Sequence, residues 1–212
     1  MLIFWFPVLS CGQVNQTDSQ GRKHGHWEKH TPDGKLRYTG QFQHGIPVDT
    51  FRYFSDDGHL EAMLIHGKYP QRVQAMMYFK NGQTKSTGYY FHQQKDSIWH
   101  FFRKTGEKVA TEHYQHGVLE GKTIRYHLNG QKSRVTLFKN GLKHGPEILY
   151  FDNGVISKKQ FYVHDTLEGK VQVFDLQGNL QAEGFYKNGK KSGDWIYYDK
   201  QGNRVKNASV SD

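Results

Sequence analysis

Aromatic residues return every 24 positions along this chain, and between them apolar and polar side chains alternate. The period is marked by Gly34, Gly58, Gly82, Gly106, Gly130, Gly154, Gly178 and Gly202, with no insertion or deletion. Four residues before this glycine stand Phe54, Tyr78, Phe102, Tyr126, Tyr150, Phe174 and Tyr198, with His30 in the first place. Eight residues after it stand Phe42, Tyr90, Tyr114, Phe138, Tyr162 and Tyr186, with His66 and Val210 completing the column. Polar turn formers such as Asp33, Asn81 and Asn129 sit immediately before the glycine. Alternation at period two, bounded by turn residues, predicts strands. Each repeat is therefore a predicted hairpin of two short strands, and a second glycine-rich turn, as in "KNGKKSG", leads to the next.

The stretch "GKTIRYHLNGQKSRVTLFKNGLKHG" carries two such reversals, at Asn129-Gly130 and Asn140-Gly141. Asn-Gly suits a type I′ turn, whose two central residues both need positive φ, so both pairs are expected to form one. Repeats starting at Gly21, Gly45, Tyr69, Gln93, Gly117, Gly141, Asp165 and Gly189 divide 21–212 into eight. A lone hairpin is marginal in water, so each repeat must depend on its neighbours. The expected fold is all-β: an elongated array of eight stacked antiparallel hairpins in a single twisted sheet or solenoid, roughly 75 Å long at about 4.8 Å per strand. His30, Val210 and the polar "KNASVSD" read as caps on that stack.

Composition fits narrow buried stripes better than a thick aliphatic core: 35% hydrophobic residues and a mean hydropathy of -0.83, yet 15% aromatics and 23 glycines. Disordered chains are aromatic-poor. The net charge of +9 raises the question of an acidic partner, but the basic residues are dispersed over the repeats. A solvated surface is the simpler reading, and nucleic acid is not the expected partner. No apolar run approaches the roughly 20 residues a spanning helix needs.

"YKNGKKSGDWIYYDKQGN", from Tyr186, and "FKNGLKHGPEILYFDNG", from Phe138, resemble the bacterial variant of the MORN repeat, whose members are often labelled YwqK-type antitoxins of toxin-antitoxin systems. The resemblance covers all eight repeats and is most specific in the fifth to eighth. The second to fourth depart from it, with Asp49, Val73 and Ser97 where the others have Gly25, Gly121, Gly145, Gly169 and Gly193. What it implies is a non-enzymatic scaffold with a protein partner, a toxin among the candidates, and no catalytic residues. The only cysteine, Cys11, follows "MLIFWFPVLS", and Val8-Leu9-Ser10-Cys11 resembles a lipobox. That implies lipidation of Cys11, with residues 1–20 as signal remnant and flexible tether, 21–212 as repeat domain, and a membrane-anchored envelope protein facing the periplasm or exterior. A plain apolar N-terminal segment on a cytoplasmic chain is the alternative.

Thirteen histidines invite a metal. Four of them, His44, His92, His116 and His164, share a column, but neighbours in one column lie two strands, about 9.5 Å, apart. Two ligands of one zinc have donor atoms within about 4 Å of each other, so turn histidines without metal are expected. There is no G-x-S-x-G, no H-E-x-x-H and no phosphate loop, so neither catalytic residues nor cofactors are expected. What remains is surface. Trp27, Phe51, Trp99 and Trp195 share a column that also holds Ala75, Thr123, Glu147 and Val171. A column that accepts Glu147 reads as incompletely buried, which makes its aromatics, with Lys190 and Lys191 nearby, the candidate partner-contacting stripe; local core plugs are the competing reading. The expected protein is a monomeric interaction module for a protein partner, with binding of anionic lipid or polysaccharide at the envelope as the alternative.

Overall fold

The structure is a computed structural model and describes residues 13–69 and 71–210. Cys11 lies outside the described residues. Every described element is a β-strand, and the chain divides into two compact lobes, up to Gly82 and from Gln83 onward. The first holds β1 (Gln16–Thr17), β2 (Lys23–His30), β3 (Leu36–Gln43), β4 (Ile46–Phe54), β5 (Leu60–His66) and β6 (Arg72–Tyr78). The second holds β7 (Thr84–Phe91), β8 (Gln94–Phe102), β9 (Lys108–Gln115), β10 (Val118–Leu119), β11 (Gly121–Tyr126), β12 (Lys132–Lys139), β13 (Leu142–Tyr150), β14 (Ile156–Val163), β15 (Thr166–Leu167), β16 (Gly169–Phe174), β17 (Leu180–Lys187), β18 (Lys190–Tyr198) and β19 (Arg204–Val210). Within each lobe consecutive hairpins pair antiparallel, as the 24-residue period predicts.

Three special backbone positions recur along the repeats. At the hairpin tip the Gly130 N–H donates to His127 O at 3.1 Å and the His127 N–H to Gln131 O at 2.8 Å, with Gly130 at φ 81°. Asn129 is not left-handed, so the first Asn-Gly pair does not form the expected type I′ turn. It forms a type I turn closed by a glycine bulge, and the ladder slips one residue between Arg125 and Tyr126. Asn129 is used through its amide: Oδ1 accepts from the Gln131 N–H at 3.0 Å, and Nδ2 donates to Asp152 O of the next tip at 2.6 Å. The second pair does form the type I′ turn, with Asn140 at φ 52° and Gly141 at 83°. His44, His92, His116 and His164 occupy that same first position, all at φ between 47° and 50°.

The third position is the one where three repeats lack glycine. Asp49 and Ser97 keep the left-handed backbone at φ 58° and 59°, matching Gly25, Gly121, Gly145, Gly169 and Gly193. Val73 does not, and there β5 and β6 pair from Ala62↔Met77 to His66↔Val73 with no slip. A β-branched residue at positive φ is strongly disfavoured, so the chain gives up the bulge where it has Val73.

The bulge builds the core. Thr87 pairs with His100 and Tyr89 with Asp96, leaving Gly88 opposite residues 97–99, and the Trp99 ring folds across the bare α-carbon of Gly88. Phe51 lies over Gly40 and Trp195 over Gly184 in the same way. Trp99 is 1% exposed, its Nε1 donating to Tyr89 O at 3.0 Å. Tyr90 meets it edge-on at 5.0 Å and Lys95 Nζ caps it at 4.9 Å.

Residues 13–20, expected to be tether, are in part structure. The β1 strand pairs with β2, the Trp27 indole donates to Gln16 O at 2.9 Å, and the Glu28 N–H donates to Asn15 Oδ1 at 2.8 Å. Asp18 closes the segment. Its carboxylate accepts from the backbone N–H groups of Gln20 and Arg22 at 2.9 and 3.0 Å, pairs with Arg22 at 2.8 Å and lies 2.8 Å from His44 Nδ1.

Candidate interaction surface

The sheet's two faces differ in chemistry. On the inner face, the tryptophan column is the core and not an exposed stripe: Phe51, Trp99 and Trp195 are buried, and Trp27 is half-buried under β1. This corrects the sequence expectation for those aromatics. Glu147, taken there as a sign of exposure, is itself 1% exposed. Thr136 Oγ1 donates to its carboxylate at 2.8 Å, Lys143 Nζ at 3.1 Å and Gln160 Nε2 at 2.5 Å, so the buried charge is fully solvated by side chains. The column facing it across the next strand explains the tolerance: Gly40, Gly88 and Gly184 stand against Phe51, Trp99 and Trp195, and Leu64 against Ala75. In these pairs a large side chain meets a small one, a signal that a single column does not carry.

Of the two lysines assigned to the stripe, Lys191 covers the core, with Nζ 4.0 Å from the Trp195 ring. Lys190 is exposed at the start of β18, opposite Lys187.

The outer face of the second lobe carries the exposed row. The registers Ile98↔His113, Lys122↔Leu137, Pro146↔Phe161 and Lys170↔Phe185 set these residues side by side on β8, β9, β11, β12, β13, β14, β16 and β17. Seven strand steps of about 4.8 Å make the row roughly 34 Å long. Ile98, Phe161 and Phe185 are 50%, 40% and 52% exposed. Half-buried Ile124, Val135 and Ile148 form an apolar row beside it. At the Phe185 end an open pocket of about 350 Å³ is lined also by Glu168, Gly169, Tyr186, Lys187, Ser192 and Gly193. The equivalent positions of the first lobe, His26, Gln41, Thr50, Ile65 and Gln74, are polar except for Ile65. Sequence reasoning missed the row because Phe161 and Phe185 sit next to the aromatic column of Tyr162 and Tyr186 and read as part of it.

The titratable groups are arranged as structural ions. Every carboxylate with a displaced pKa is displaced downward: Lys80 and Ser55 pull Asp57 down to about 2, and Lys170 leads the groups that lower Glu183. General acids at neutral pH need the opposite displacement. Burial raises the Tyr114 hydroxyl, and the Glu112 carboxylate it donates to raises it further. His24 and His44 face each other at 5.0 Å, as do His144 and His164, and no group of three metal-ligating side chains occurs among the described residues.

This combination defines a β-hairpin repeat protein, with its core on one face of each lobe and an exposed apolar row on the other face of the second. Three stretches, residues 23–44, 143–164 and 167–188, match the MORN repeat variant, each running from the third to the last position of a repeat. MORN repeats generally mediate protein or membrane interactions and are a non-catalytic repeat type. No curated protein matches the chain. Among solved structures, a crystal structure of TcdB2-TccC3-TEV is similar over 90% of this chain at 9% identity, with a TM-score of 0.20. The chain spans 14% of the length of that structure.

Proposed function

We propose that the chain is a non-enzymatic scaffold that binds a protein partner, in an antitoxin-like role, on a bacterial membrane to which Cys11 anchors it. The observation that carries the protein contact is the outer row. A contiguous set of exposed apolar side chains costs solvation unless something covers it, whereas scattered ones are ordinary. Phe161 and Phe185 recur in register with half-buried Leu137, on rigid strands, as an interface needs. The antitoxin role and the anchor are supported by the sequence resemblances of the fifth to eighth repeats and of Val8-Leu9-Ser10-Cys11.

Photo-crosslinking residues introduced one at a time over exposed positions of both lobes test the scaffold in cells. A discrete protein adduct clustered on one face is expected, and absence of any protein adduct overturns the reading. Cys11→Ala tests the anchor separately. Loss of palmitate labelling and release from the membrane fraction are expected; unchanged fractionation overturns it. Co-expression with the neighbouring reading frame, where that frame is toxic alone, tests the antitoxin role by rescue of growth.

A further inference from the structure

We infer that the outer row from Lys122 to Phe185 docks an acidic protein segment that places an apolar side chain in the pocket beside Phe185; this deepens the scaffold reading and rests on it. The row intersperses apolar anchors with lysines. Leu137, Phe161 and Phe185 recur every second strand, about 9.6 Å apart, with Lys122 before the first, Pro146 between the first two and Lys170 between the last two. Lys187 lines the pocket at the row's end.

The carboxylates nearby are already engaged. Glu168 Oε2 accepts from the Asn188 N–H at 2.8 Å. Glu183 is held by Lys170 at 2.8 Å, by Gln172 at 3.1 Å and by the Tyr198 hydroxyl at 3.1 Å. Asp194, on the next strand, bounds the row. With Lys170 paired to Glu183, a partner meets Lys122, Lys187 and the apolar rings, on a chain of net charge +9, and acidic residues flanking an apolar one complement that surface. A second copy of the chain would bring like charge against like. An anionic membrane calls for a cluster of about 4–8 basic residues on one surface, whereas here single lysines are spaced by apolar residues. The pocket's mixed lining, with the Gly169 and Gly193 backbones bare and Phe185 as one wall, suits one bulky side chain.

Selection of short random peptides displayed against the full chain tests this. The expected products carry Asp or Glu around Leu, Phe or Trp, bind more weakly as salt rises, and bind the Phe161→Ser/Phe185→Ser double variant at least about tenfold less tightly. Both side chains are on the surface, and an unchanged tryptophan fluorescence spectrum, to which buried Trp99 and Trp195 contribute, verifies that the variant is folded. Peptides without acidic enrichment, or peptides that bind the double variant equally, overturn the docking row while leaving the scaffold intact. Phosphatidylglycerol vesicles held through Phe161 and Phe185, with no peptide selected, overturn it in favour of a membrane. A chain that selects no peptide and gives no protein crosslink in cells overturns both readings.

Discussion

The ring of Trp99 rests on the α-carbon of Gly88 so closely that a methyl group at 88 would overlap its indole carbons. The tryptophan and the glycine, on neighbouring strands, are one packing unit. In an ordinary strand interior alanine is better than glycine by roughly 0.5–1 kcal/mol.

Gly88→Ala is therefore expected to act against propensity and destabilise the protein, by about 2 kcal/mol, the scale of an overpacked core. Trp99→Val alone also destabilises, by opening a cavity. The double variant should be more stable than the sum of the two, a coupling that urea denaturation of all four proteins measures. Additive losses would mean that the two residues contribute independently.

This pairing shows how far the sequence carries. Eight glycines at a fixed interval, with aromatics at constant offsets, were enough for hairpins and register, because period and turn chemistry are local properties. The tip turn at Asn129 was misjudged because Asn-Gly serves two turn types, and the extra loop residue that separates them shows only in the pairing of Tyr126 with Lys132. The core was misjudged for a different reason. Glu147 looks exposed when its column is read alone, and only Thr136, Gln160 and Lys143, on three different strands, make its burial affordable. The exposed row at Phe161 and Phe185 was hidden by the same limit: one residue's shift along a strand changes face, and two adjacent aromatics do not say which of them points inward.

Ser97 holds φ 59° at a place where five other repeats have glycine. A left-handed residue with a side chain costs roughly 1–2 kcal/mol, and glycine returns part of that as unfolded-chain entropy. Ser97→Gly is expected to stabilise by about 0.5 kcal/mol. Gly169→Ser is the reciprocal control, since its side chain would meet open space and φ is 75°. Thermal unfolding of both should show shifts of opposite sign; equal signs would show that backbone conformation does not dominate at this position.

Asp18 locks β1 onto the first hairpin through Arg22, His44 and two backbone N–H groups. His44 and Arg22 hold its carboxyl well below the usual carboxylate range, so its contribution is present above the unfolded carboxylate range and is lost as pH falls through the depressed folded value. Asp18→Ala is expected to raise amide exchange at Asn15, Gln20 and Arg22 and leave β12 to β14 unchanged. Unaltered exchange at Gln20 would show that the carboxylate does not hold the segment.

Glu147 is the most consequential charge in the second lobe. Burial by itself raises a carboxyl pKa, but here Thr136, Gln160 and Lys143 outweigh it and the net displacement is downward. The ionised form is thus the one the fold favours. Its stabilisation is complete above the unfolded value of about 4.3 and declines as pH falls through the lower folded value. Glu147→Ala strips a buried charge from Lys143 and orphans two donors, which should cost about 3 kcal/mol at neutral pH. Glu147→Gln keeps the shape and removes the titration, so below the unfolded value its stability should fall less steeply with acid than that of the parent. Parallel acid profiles for the two proteins would mean that this carboxylate is not what titrates, and that the polar stretch of the core is held by its neutral hydrogen bonds.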